Sequence, residues 1–412
     1  MDYKQLSHAV THDAAIRRRR RLQPAGGVGD KLFPPTYPRE GRDAPPQHVF
    51  ETRRVARPDG TGLDSVVCVL IDSVQSQANR LEEALVAAAE AGRISLPRLV
   101  VDFPSSGLNS IGPISDLQAP HRIFDAILRD SMLDGEEFRQ SELGQRLRQS
   151  TASDAGAILE VSPASLLFGA WNSTGEGGGI GAKFARAIVS EIIGVNVPVE
   201  DFVDRRTGEA SMRTAGRQPG SRMDPLGVVR SVEVFKGGAG WAMSKEQAGK
   251  GAKQVRPSEI NHGNIRPSVA ELGVTCDYAL QTAVITLAGL RRLGFGGDVA
   301  KDQAARAYLA ALGLVALAEA DAQGYALRSR CDLVCDGEAP LEVVRADGTT
   351  ERIDLDIGAA RALYRAAFEA AFKAGFTLSE APIKLTPQKK LVALVQRSQE
   401  KALSDDTEED EG

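Results

Sequence analysis

Cysteines, histidines and long apolar runs are all scarce in this chain. Its 412 residues include four cysteines, Cys68, Cys276, Cys331 and Cys335, too scattered for a disulfide framework, so reduced thiols are expected. Cys331 and Cys335 form one C-x3-C pair, and a zinc site would need two further ligands at recognisable spacing. The five histidines, His8, His12, His48, His121 and His262, do not cluster to supply them, so no metal is expected. No apolar run approaches the roughly 20 residues that cross a bilayer, and the polar, arginine-bearing start lacks the apolar core of a signal peptide. These absences predict a cytoplasmic protein that does not enter a membrane. Catalytic patterns are missing as well: there is no Ser-His-Asp order, paired-carboxylate site or metal-ligand set, so the expectation is a non-enzyme without a cofactor.

What is present is a globular composition, 42% hydrophobic and 25% charged, long enough for one large domain with insertions or for two ordinary domains. The formal net charge of −5 averages over unlike pieces. The end "SDDTEEDEG" carries six acids and no base, so the chain without it is at −5 + 6 = +1. Residues 205–266 hold twelve Lys/Arg against five Asp/Glu, a local charge of +7. That stretch is rich in Gly, Ser and Gln and reads as a mobile basic insertion. Near the start, Arg17, Arg18, Arg19, Arg20 and Arg21 are consecutive. An arginine run plus a basic insertion is the electrostatic pattern of a phosphate-backbone binder. A solvated surface remains the plain alternative.

Periodicity predicts mixed α/β structure. Residues 48–56 and 64–72 read as strands joined by a turn at Asp59-Gly60. Residues 74–92 read as a helix, with Asp72 and Gln75 resembling a capping box. A strand over 97–103 and a helix over 119–133 follow. Further helices are expected over 181–194, 278–294, 304–320, 359–375 and 387–403, and strands over 230–235, 325–335 and 341–356. This is an α+β pattern of the ferredoxin-like kind with elaborations.

Three stretches could carry chemistry. In "IDSVQSQANRLE", Gln75 and Asn79 lie one turn apart on one helical face and Ser76 and Arg80 on the adjacent one, groups suited to phosphate and sugar at a helix start. Equally, Gln75 could cap and Asn79 simply face solvent. "FGAWNSTGEGGGIGAKFARAIVSEI" is a glycine-rich loop expected to run into a helix beginning with Lys183 and Arg186. It fails the Walker A pattern at Ala182 and Phe184, and matches G-x-G-x-x-A at Gly177, Gly179 and Ala182 without a preceding buried strand. Trp171, Asn172 and Lys183 beside it suit a polynucleotide, with the indole free to stack, unless Trp171 is core. The third stretch, "RPSEINHGNIRPS", places His262, Asn264 and Arg266 between prolines at the close of the basic insertion.

The segments "RRRLQPAGGVGDKLFPPTYP", "VLIDSVQSQANRLEEAL", "GAWNSTGEGGGIGAKFARAIVSEI", "INHGNIRPS" and "LRRLGFGG" together resemble the backbone subunit of the type I-G (formerly I-U) CRISPR Cascade surveillance complex, of the RAMP superfamily. The resemblance spans roughly residues 17–300. It implies a ferredoxin-like, RNA-recognition-motif palm with large insertions including a basic thumb, and copies of the chain stacked along one CRISPR RNA. The implied partners are that RNA, a target DNA strand by way of the guide, further copies of the chain, a large subunit, a repeat-handle-binding subunit, and a helicase-nuclease recruited after target binding. The expected RNA contacts are Gln75, Ser76, Asn79, Arg80, Trp171, Asn172, Lys183 and Arg186, with Lys245, Lys253, Arg256, His262, Asn264 and Arg266 on the thumb; Arg17–Arg21, too dense a run to stay unneutralised, are expected on the guide-binding face or the adjacent subunit contact. The expected organisation is an arginine-rich arm and Pro/Gly segment (1–46), the first part of the palm (47–204), the thumb (205–266), palm completion with C-terminal helices (267–403), and an unfolded acidic tail (404–412). Two alternatives stay open: a nicotinamide dinucleotide-binding enzyme using the 177–182 loop, and a protein-only scaffold.

Overall fold

The computed structural model describes residues 1–38, 47–57, 61–172, 183–203, 208 and 210–409, the last with side chains to Lys401. The protein is a mixed α+β chain with mainly antiparallel sheets that divides into two units, Met1–Arg213 with Val274–Gln388, and Thr214–Gly273 with Lys389–Gly412.

The first unit is built on a nine-stranded sheet. Its strands are β1 (Ala15–Pro24), β2 (Phe50–Ala56), β3 (Leu63–Asp72), β4 (Ile188–Val195), β5 (Tyr278–Thr286), β6 (Tyr325–Arg328), β7 (Cys331–Cys335), β8 (Leu341–Val344) and β9 (Thr350–Ile353). The order is β6-β7-β1-β5-β4-β3-β2, with β8 pairing both β1 and β9. Strand β1 runs along β5 from Ala15 to Leu22; on its other side β8 covers Ala15–Arg18 and β7 covers Leu22–Pro24. The arginine run is therefore the middle of a central strand and not an arm. Five like charges are tolerated there because a strand sends successive side chains to opposite faces.

Among the described residues the long helices of this unit are α1 (Tyr3–His12), α2 (Val74–Glu90), α3 (Val299–Gln323) and α4 (Ile357–Lys373). Helix α3 is rich in Ala and Leu, is capped by the Asp298 side chain on the amides of Ala300 and Lys301, and packs against α1, α2 and α4. It comes so near the sheet that a Cβ on its Gly313 would lie 2.8 Å from Cδ1 of Ile285 on β5. That approach explains a residue that costs about 1 kcal/mol in a helix interior. A smaller five-stranded sheet orders 113–115, 99–102, 383–387, 131–133 and 136–137.

Several sequence expectations change here. Residues 181–194 and 278–294 were expected as helices from their spacing; they hold strands β4 and β5, because Ile188, Val189, Ile192, Ile193, Val195, Thr282, Val284 and Ile285 are β-branched and fit a pleated, half-buried surface. Residues 119–133 form a 3-10 turn, one helical turn at Ala126–Arg129 and a short strand instead of one helix. The cap of α2 is Ser73, whose Oγ accepts from the Ser76 amide at 3.2 Å, and not Asp72.

The second unit contains two small sheets, Gln218–Arg222 with Ile265–Ala270, and Gly240–Ala242 with Val234–Gly237 and Lys253–Val255. Val234, Ala248 and Ala252 are buried in it, so part of the basic stretch expected to lack folded structure has a core of its own. Its last element is α5 (Lys389–Glu409), which continues past Ser404, where an unfolded tail was expected.

Asp72, fully buried at the end of β3, joins strand, helix and sheet edge. Its carboxylate accepts from Ser76 Oγ (2.8 Å), Gln77 Nε2 (2.7 Å), Arg80 Nε (3.0 Å) and Arg328 Nη2 (2.9 Å). Removing one partner of a buried ion pair leaves the remaining charges uncompensated. Asp72→Ala is expected to lower stability by about 3–5 kcal/mol in urea unfolding; a loss within about 0.5 kcal/mol, as for an ordinary surface change, would show that the cluster carries no fold energy.

Candidate nucleic-acid interface

Alternation along β1 sorts the five arginines. Arg18 and Arg20 point with Ile16 and Leu22 toward α3, where Asp321 meets both. Arg18 is 4% exposed; its Nη2 reaches Asp321 Oδ1 at 2.9 Å and Gln281 Oε1 at 3.1 Å, and its Nη1 closes the pair with Asp321 Oδ2. Arg20 Nη1 lies 2.8 Å from Asp321 Oδ1 and donates to the Tyr325 hydroxyl at 2.8 Å. Burial works against the Arg20 charge, but Asp321 and Tyr325 outweigh it and raise its pKa. Burial, reinforced by Asp321, raises the Tyr325 phenol.

From this cluster a continuous polar chain leads to Asp72. Tyr325 donates to Gln281 (3.0 Å), Gln281 donates to Gln77 Oε1 (3.0 Å), and Gln77 donates to Asp72. Besides Arg18 and Arg20, two more of the expected RNA-contacting residues belong to it. Ser76 and Arg80 both bind Asp72, and Arg80 also donates to the Leu327 carbonyl at 2.6 Å. Gln75 and Asn79, on the same helix, are exposed.

Arg17, Arg19 and Arg21 leave β1 on the opposite face, at intervals of about 7 Å. Arg19 is exposed and has no ion-pair partner among the described residues. Arg17 Nε lies 2.7 Å from Glu342, and Arg21 Nε 3.5 Å from Asp336, both partly solvated pairs of small net worth. The register sets Thr282 opposite Arg19 and Glu191 opposite Thr282, and Glu191 pairs with Arg53 at 2.8 Å. That hydrogen bond to Glu191, ahead of opposing burial, raises the Arg53 pKa. The Arg21 guanidinium sits 4.1 Å from the centre of the Tyr278 ring. Arg53, Tyr278 and Thr282 were not expected here, since they reach this face only through strand pairing with distant β1.

The other expected residues lie elsewhere. Trp171, 52% exposed and so not core, pairs with Lys183 across a two-residue ladder. The loop between them, including Gly177, Gly179 and Ala182, lies outside the described residues; Asn172 adjoins it. No helix begins at Lys183 and Arg186: Lys183–Phe184 is a strand, and Arg186 donates to the Phe168 carbonyl at 3.1 Å. Burial and then the neighbouring Arg122 lower its pKa.

In the second unit, Lys245, Lys253, Arg256 and Arg266 are exposed. Asn264 Oδ1 accepts from the Asp224 amide at 2.7 Å and is spent on holding that loop. The unforeseen residue is Trp241. It is 51% exposed, pairs across strands with Lys236, which pairs in turn with Lys253, and lies 5.9 Å from the His262 ring. One exposed indole thus stands in a row with two lysines. Only strand pairing reveals this, because "GWAMSK" by itself contains no motif.

Among the described residues no group of three His, Cys, Asp or Glu could hold a metal, and no helix is long and apolar enough to cross a membrane. The division of the arginines has a direct consequence. Arg18→Ala should cost about 3 kcal/mol or more in urea unfolding, by breaking a buried pair, while Arg19→Ala stays within about 0.5 kcal/mol. Equal losses would contradict the alternation. No curated protein matches the chain. Residues 16–199, somewhat under half of the chain, match the family model for CRISPR-associated protein GSU0053 (Cas_GSU0053), a span that includes β1 from Ile16 on, α2 and the Trp171–Arg186 segment; by that match the chain is similar to a CRISPR-associated family.

Proposed function

We propose that this chain is a non-catalytic, CRISPR RNA-binding backbone subunit of a type I-G Cascade complex, with several copies stacked along one guide that pairs with target DNA. The observation that carries the reading is the outward row Arg17, Arg19 and Arg21 on a sheet face, beside Tyr278 and Arg53. Cations at regular spacing next to an aromatic ring suit a single-stranded polynucleotide, whose phosphates and bases they can meet without reading its sequence. Sequence is then read by base pairing of the guide. The row of Trp241, Lys236 and Lys253 offers the same chemistry on the second unit, as a thumb would. The reading carries with it the other expected partners: a large subunit, a repeat-handle-binding subunit and a helicase-nuclease that follows target binding.

Arg17 and Arg21 are held by Glu342 and Asp336 in the free protein, and RNA must displace those acids. Glu342→Gln should therefore tighten binding to single-stranded RNA. Arg17→Ala/Arg19→Ala/Arg21→Ala should weaken it and flatten its salt dependence, by up to about 0.7 in slope for each phosphate no longer neutralised. Trp241→Ala should cost about 1–3 kcal/mol of binding if it stacks on a base. Purification with and without a co-expressed CRISPR array, read as the ratio of nucleic-acid to protein absorbance, is the direct test. RNA retained only with the array supports the reading. Equal, RNA-free preparations in both cases would contradict it.

A further inference from the structure

In the helical layer of the first unit, α4 and residues 92–95 line a pocket of about 420 Å3 that the RNA reading does not use. Its buried lining is aromatic: Tyr364 donates to the Ser95 carbonyl at 2.6 Å and packs with Phe368. Behind it Glu319 of α3, 2% exposed, holds two lining arginines, Arg361 by Nε at 2.6 Å and Arg93 by Nε at 3.4 Å. One buried carboxylate thus anchors both, and their terminal nitrogens make no hydrogen bond among the described residues. Arg365, exposed one turn past Arg361, has no ion-pair partner among the described residues. Several guanidinium donors around one opening exceed what a single carboxylate accepts and suit the oxygens of a phosphate.

The rest of the lining narrows the guest. At 100° per residue, Arg361, Arg365 and Phe372 fall within about 40° of one another on α4. Phe372 is 61% exposed at the rim, about 10 Å of helix rise from Arg365. An open ring beside cations takes a base by stacking. With Lys373 the lining holds four bases, against two exposed acids, Glu369 and Glu380. Those carboxylates oppose a purely anionic guest such as an acidic peptide, and accept hydrogen bonds from ribose hydroxyls or base amino groups.

We propose that this pocket binds one nucleotide, its phosphate on Arg93, Arg361 and Arg365, its base against Phe372, and its sugar or base donors on Glu369 or Glu380. A free mononucleotide and the phosphorylated end of a strand share this chemistry. The site does not depend on the RNA reading: α4 packs on α3, whereas Arg17, Arg19 and Arg21 leave β1 on the face turned away from α3.

The test is calorimetric titration of the full-length, RNA-free Arg17→Ala/Arg19→Ala/Arg21→Ala chain, in which the sheet face is disabled, with AMP, CMP, adenosine, ribose 5-phosphate and inorganic phosphate. AMP and CMP should bind one per chain. Adenosine, ribose 5-phosphate and inorganic phosphate should each bind about tenfold more weakly or worse, since each lacks the charged contacts or the stacking. Adding Arg365→Ala or Phe372→Ala should weaken AMP about tenfold; both side chains are exposed, and circular dichroism checks that each variant stays folded. Displacement of AMP by a 5′-phosphorylated oligonucleotide and not by its unphosphorylated form assigns the site to a strand end, and no displacement by either assigns it to a free nucleotide. No binding of AMP or CMP at millimolar concentration, inorganic phosphate bound as tightly as AMP, or indifference to both substitutions would each overturn the proposal. Because the sheet face is disabled throughout, the outcome is the same whether or not the RNA reading holds.

Discussion

Two carboxylates under the nine-stranded sheet, Asp72 and Asp321, hold four arginines between them, and most of what the first unit presents to solvent follows from that arrangement. Asp321 takes Arg18 and Arg20; Asp72 takes Arg80 and Arg328. Arg18, Gln281 and Gln77 connect the two in one run of hydrogen bonds between sheet and helices. A buried network of this kind is costly unless its members are satisfied, and a one-residue slip of β1 would put Arg17, Arg19 and Arg21 under α3 with the wrong partners. The polar chain therefore fixes the register, and the register fixes which arginines remain outside.

The two faces of one strand thus do different work with the same residue type. Arginine suits both, since its planar fork binds a carboxylate in the interior as well as a phosphate at the surface. Lysine would fit the outer face but not the place of Arg18, which binds Asp321 through both Nη1 and Nη2 while Nη2 also donates to Gln281. Arg17 and Arg21 are also tempered by acids, Glu342 on β8 and Asp336 just past β7, which lets a bare protein carry the outer row without strong self-repulsion.

How much of this could be read from sequence varies by element. Helices α2, α3 and α4 were legible because Leu and Ala recur at helical spacing over many turns, and the 325–335 and 341–356 strands because turn residues punctuate them. Strands β4 and β5 were not, since short apolar runs satisfy both periods and only packing between neighbours decides. The basic character of β1 was evident in Arg17–Arg21, yet its division was hidden: Asp321 lies some 300 residues away in sequence, so nothing near the run shows that two of the five are already held by a carboxylate. Gln75, Ser76, Asn79 and Arg80 were grouped by helical spacing, and the fold separates them again through Asp72. Trp241 and Tyr278 acquire basic neighbours only through strand pairing.

The central claim is that strand alternation divides one arginine run into a buried set, Arg18 and Arg20, and an outward set, Arg17, Arg19 and Arg21. Arginine-selective chemical modification read by mass spectrometry, with and without a bound single-stranded RNA, tests it residue by residue. The account predicts that Arg19 reacts fastest in the free protein, that Arg17 and Arg21 follow, that all three are protected by RNA, and that Arg18 and Arg20 stay unreactive in both states. Modification of Arg18 at the rate of Arg19 in the folded protein, or RNA that protects none of Arg17, Arg19 and Arg21, would contradict it.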